Sequence, residues 1–86
     1  MDINELIAIV KKKIESQINV ENLLIEDKSF LHKNHKGYQE GKFHLKISLR
    51  SEDLKKMSKI KSNKKIYKIL NEEMRLFIHS LQISIS

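Results

Sequence analysis

The chain has 86 residues, 40% hydrophobic and 33% charged, with a formal net charge of +6 at pH 7. This length allows one modest core and excludes a second globular unit, so residues 1–86 are read as a single domain. The composition is that of a folded chain, not a disordered tail, and no run nears the roughly 20 apolar residues of a membrane span. Cys is absent, which excludes a disulfide framework, a zinc ribbon and a thiol nucleophile from this chain. A soft-metal ligand must then be His32, His35, His44 or His79, or come from a partner. Asp2 and Glu5 stand where a signal peptide carries basic residues, so the expected location is cytoplasmic.

Asp2 and Glu5 form a capping box, and Leu6, Val10 and Ile14 then recur every four residues beside Ile3 and Ile7. The spacing predicts a helix from about Ile3 to about Gln17. Val20 to Asp27, centred on Leu23-Leu24-Ile25, reads as a short strand. Ser29 to Gly41 is polar, holds two histidines and both glycines, and reads as a long loop of the kind that carries function. Phe43, Leu45, Ile47 and Leu49 then alternate with His44, Lys46, Ser48 and Arg50, the pattern of a half-buried strand with His44 on its wet face.

Ser51 before Glu52-Asp53 is a helix start, with acids facing the positive end of the dipole. A short helix to about Ser58 is expected. A longer one follows after Ser62 or Asn63, with Ile66, Ile69, Leu70 and Met74 on one face. Phe77, His79, Leu81, Ile83 and Ile85 alternate with Ile78, Ser80, Gln82 and Ser84, which predicts a last strand with His79 on the apolar face. The order α-β-β-α-α-β gives an α+β fold, a three-stranded sheet with helices packed on one face.

Neither a nucleophile elbow nor a glycine-rich phosphate loop is present, and the adjacent Glu72-Glu73 point apart on a helix. The chain is therefore expected not to be an enzyme. Seven lysines (Lys55, Lys56, Lys59, Lys61, Lys64, Lys65 and Lys68) fall between Ser51 and Leu70 against two acids. Such a patch points to nucleic acid or an acidic protein face, although a solvated helix surface has the same composition. Lys outnumbers Arg fifteen to two, and Arg, the better ligand for phosphate and base edges, is nearly absent.

Four segments together resemble the BolA family. They are Ser29-x-x-His32-x-x-His35-x-Gly37, Gly41-x-x-His44-Leu45-x-Ile47-x-x-x-Ser51, Ile66-Tyr67-x-x-Leu70-x-Glu72-Glu73 and Ile78-His79-Ser80-Leu81. The match runs ungapped from about Ser29 to Ser84, and the first helix and strand fit as well. The resemblance implies a type II KH-like fold with the order read above. It also implies a monothiol glutaredoxin partner with its glutathione, the pair sharing a 2Fe-2S cluster. The chain is then a monomer alone and a heterodimer with that partner. In the family a His of the last strand and a loop His or Cys serve as cluster ligands. Carried over, these are His79 and His32, with His35 the alternative loop ligand and His44 ranked below them. Two positions depart from the family pattern: Ser62-Asn63-Lys64 replaces an Arg-His-Arg element, and Leu54 and Lys56 replace Phe and Gly.

Imidazole is neutral and a weaker donor than thiolate, so histidine ligation raises a cluster's potential and ties assembly to pH near about 6.5. Zinc suits the same imidazoles. Each His also has a plain reading: His79 as a packing residue, His32 and His35 as solvated loop residues. The competing functional class is a small DNA-binding transcriptional regulator using the lysine-rich helices. The stretch from Lys55 to Asn63 lacks the Gly-x-x-Gly with which KH domains clamp a strand, so its lysines would meet phosphates. The same lysines would speed association with an acidic glutaredoxin face.

Overall fold

The computed structural model describes residues 2–29 and 42–86. The predicted loop, apart from Ser29, lies outside the described residues, and His32 and His35 lie there with it.

Helix α1 spans Ile3–Gln17, as the spacing predicts. The Asp2 carboxylate accepts from the Glu5 backbone N–H at 2.9 Å, satisfying a donor that the first turn leaves open. Leu6, Val10 and Ile14 are fully buried, while Lys11, Lys12 and Glu15 face solvent. Strand β1, Asn22–Asp27, starts two residues later than expected. Before it, the Glu21 N–H bonds the Arg50 carbonyl at 2.8 Å.

Strand β2, Phe43–Arg50, is central and antiparallel to β1, with Leu23 opposite Leu49 and Ile25 opposite Ile47. It runs parallel to β3, Ile78–Ile85. A parallel pair needs a crossover, supplied by α2 (Glu52–Lys55), α3 (Lys59–Ile69) and α4 (Asn71–Leu76). Leu45, Ile47 and Leu49 meet the α1 stripe, with Leu54, Ile66, Leu70, Ile78 and Leu81 completing the core. Each such side chain contributes about 1.5–3 kcal/mol on burial. The α+β sandwich is as read.

The crossover departs from expectation in its boundaries. Ser51 caps α2, but that helix stops at Lys55 instead of about Ser58. Ser58 itself caps α3, its side chain accepting from the Lys61 N–H at 3.2 Å. Ser62 and Asn63, the predicted caps, lie inside α3, where both side chains donate to the Lys59 carbonyl, at 3.0 and 2.6 Å. The helix then breaks at Leu70, whose φ of −99° and ψ of 18° leave the helical region, so one predicted helix is two.

The last strand holds the largest difference. Ile78 and Leu81 are both buried, a spacing of three that a regular strand cannot give. The register explains it: Phe43 pairs with Ile78, but His44 pairs with Ser80. His79 is the extra residue of a β-bulge. It is exposed instead of sharing a face with Leu81 and Ile83, and Phe77 closes α4 instead of opening the strand.

Candidate functional site

Two histidines meet where β2 and β3 begin. The His44 and His79 rings stand edge-on, with centroids 4.9 Å apart and planes at 61°. His44 belongs to the sheet face turned away from the helices, with Lys46 and Ser48, and the alternation alone makes it wet. It is instead buried, at 5% exposure. Its backbone is pinned on both sides: its N–H donates to Ser29 Oγ at 3.1 Å, and its carbonyl accepts from the Lys28 N–H at 2.7 Å. Its ring Nδ1 lies 2.6 Å from Ser80 Oγ, the residue opposite it in the register. A bond there fixes ring orientation and tautomer.

The bulge is what makes the pair possible. Without the extra residue, His79 would stand opposite His44 and Ser80 would pass to the other face. With it, Ser80 takes the place beside His44 and the His79 imidazole is left at the surface. From behind, Tyr67 on α3 donates its hydroxyl to the Leu81 carbonyl at 3.0 Å, tying the strand to the crossover.

The lysines divide into separate groups. Lys61, Lys64, Lys65 and Lys68 line a groove of about 750 Å³ between α3 and the C-terminal end of α1, with Lys13, Ser16, Gln17 and Ile69. Lys55 and Lys59 border another cleft, against Met57, Ile83 and Ile85. Lys56 lines neither. Among the described residues Lys13 is the groove lysine held by carboxylates: it donates to Glu73 Oε2 at 2.5 Å and lies 3.9 Å from Glu72. The hydrogen bond to Glu73 raises its pKa above 10.5, helped by both carboxylate charges and opposed by partial desolvation.

Among the described residues no three His, Cys, Asp or Glu side chains gather as a metal site. A closed zinc centre asks for four ligands. A site shared with a partner asks less: an imidazole at the surface, a second nearby, and the rest from the other protein. His79 meets the first requirement, and His44 is a described candidate for the second. What the described residues offer such a site is one exposed imidazole, His79, beside a buried one, His44, with its Nδ1 on Ser80 Oγ; His32 and His35 lie outside the described residues. No described helix is long and apolar enough to cross a membrane.

The family model for BolA-like proteins matches residues 14–86. The chain belongs to the BolA-like family. A relative from Haemophilus influenzae, named DNA-binding transcriptional regulator BolA, is 33% identical over 75 residues, covering 87% of this BolA-like chain and 70% of its own. Protein BOLA1, chloroplastic, from Arabidopsis thaliana is 27% identical over 77 residues, covering 86% of this chain and 48% of that protein. The chain therefore spans about half of that relative's length. Among solved structures, the BolA domain of SufE1 from Arabidopsis thaliana superposes with a TM-score of 0.79 at 23% identity, over 100% of this chain and 93% of that one. The BolA-like fold is shared at that distance.

The alternation of β2 alone gives His44 a wet position, and the sequence gives Ser80 no evident role. A signal was present: the apolar spacing Ile78-x-x-Leu81-x-Ile83-x-Ile85 breaks the period of two at His79.

Proposed function

We propose that this chain is a non-enzymatic adaptor that binds a monothiol glutaredoxin with its glutathione and co-ligates a bridging 2Fe-2S cluster, in iron–sulfur trafficking or iron sensing. One observation carries the reading: the exposed His79 imidazole is held on a bulge, edge-on to the buried His44. When bound, the cluster supplies iron–sulfur redox and transfer chemistry. This chain supplies neutral nitrogen donors and their orientation. His79 is the surface ligand, and His32 or His35 is the second, with His44 the described alternative. Ser80 holds His44 in one orientation, and the Lys28-Ser29 backbone fixes its strand. A partner that carries glutathione fits a reducing, cytoplasmic setting.

The test is visible absorption and circular dichroism of a cluster-loaded monothiol glutaredoxin titrated with this protein, wild type beside His79→Ala. A changed cluster spectrum at one protein per glutaredoxin, lost in the variant, is the expected result. An unchanged spectrum overturns the reading. Metal uptake without any visible band would assign the imidazoles to zinc instead.

A second reading is a DNA-binding regulator. Its support is the name of the Haemophilus influenzae relative and the row of exposed lysines on α3. Salt-dependent DNA binding that survives loss of His79 would favour it.

A further inference from the structure

Helix α3 contains no acidic residue, and Lys61, Lys64, Lys65 and Lys68 repeat at the spacing of one helical face. All four are exposed, and among the described residues no carboxylate lies within the 4.0 Å of an ion pair, since the ion pairs there involve Lys13, Lys28 and Arg50. They point into a groove walled by the end of α1 instead of standing on a ridge. Four uncompensated ammonium groups in one concavity repel one another. That arrangement favours a ligand bringing several negative charges in a row.

We infer that the groove between α1 and α3 binds the phosphate backbone of a single nucleic-acid strand. The row spans roughly 10 Å at 1.5 Å per residue, which meets about three phosphates at the roughly 3.4 Å rise of a stacked strand. Lys is a point charge without the planar fork that reads base edges, so recognition is of backbone and is independent of sequence. A single row of charges in a concavity matches the one backbone of a single strand, whereas a duplex presents a convex rod with two backbones. Lys13 contributes little, because Glu73 and Glu72 hold its charge.

The groove lies in the helical layer, and His44 lies on the opposite face of the sheet. Strand binding is therefore separate from the cluster reading. It sharpens the second reading by naming the form of nucleic acid and the place, and it rests on that reading only for the ligand class.

Fluorescence anisotropy of a labelled oligothymidine of roughly 12 nucleotides, across a salt series, tests this. The groove variant carries Lys61→Gln, Lys64→Gln, Lys65→Gln and Lys68→Gln. The control carries Lys11→Gln, Lys55→Gln, Lys56→Gln and Lys59→Gln, with the same net charge and exposed positions outside the groove. The groove variant is expected to lose about ten-fold or more in affinity, with the salt slope falling by about 2. The control is expected to stay near wild type. Equal losses in both variants would mean diffuse charge and overturn the proposal, as would no strand binding at all. Tighter binding of a same-length duplex, weakened in the control instead, would overturn the groove and leave the regulator reading standing. Wild-type strand binding by His79→Ala is the expected mark of independence from the cluster; its loss would overturn the separation.

Discussion

The Ser80 hydroxyl lies 2.6 Å from His44 Nδ1, joining two residues that are 36 positions apart in sequence and directly paired in the sheet. Removing one partner of a buried hydrogen bond leaves the other desolvated, at a cost of about 1–3 kcal/mol. Ser80→Ala is therefore expected to lower stability by that order in urea unfolding, with an unchanged m-value. Imidazole nitrogen shifts should report a redistributed His44 tautomer. An unaltered tautomer would show that the hydroxyl does not position the ring.

The two histidines should part company under mutation. His79 is an exposed bulge residue, so His79→Ala is expected to change stability by no more than about 0.5 kcal/mol while abolishing the cluster-spectrum change. His44→Ala removes a buried, hydrogen-bonded ring and is expected to cost about 1–3 kcal/mol. Thermal unfolding of both variants decides the matter. Equal destabilisation would mean that His79 is a packing residue.

Ser51 is fully buried and does double work at the exit of β2. Its hydroxyl donates to the Asn19 carbonyl at 2.9 Å and accepts from the Leu54 N–H at 3.3 Å. Ser51→Ala is expected to cost about 2–3 kcal/mol, more than the roughly 1 kcal/mol of an exposed cap at Ser58→Ala. Parallel denaturant titrations give the comparison, and a larger loss at Ser58 would contradict it.

Lys13 gives a pH signature. Its folded-state pKa lies above 10.5, so its link to Glu73 contributes fully below 10.5 and is lost as pH rises through the folded value. Lys13→Met should melt below wild type at neutral pH, with the two melting curves converging in the alkaline range. A difference that persists at high pH would assign the effect to the stem's packing, not to its charge.

Much of this fold is legible in the sequence. The four-residue recurrence of Leu6, Val10 and Ile14 bounds α1, and the alternation of Phe43 to Arg50 bounds β2, because each element buries one regular face. What escaped was irregular or distant. Ser58, Ser62 and Asn63 are all acceptable caps, and local chemistry does not choose among them. The bulge inverts the parity of β3, which moves His79 out and Ile78 in. The backbone and ring of His44 are held by Lys28, Ser29 and Ser80, none beside it in sequence. The α1 wall of the lysine groove is equally distant from the lysines it faces.

The parallel pairing of β2 with β3 also sets when the histidines meet. A hairpin joins neighbouring segments, whereas this pair joins strands separated in the chain by α2, α3 and α4, so its contacts are long-range. A nascent or partly unfolded chain therefore carries its imidazoles apart. The two-histidine corner thus exists only in the folded chain, as a product of the crossover and not of local sequence.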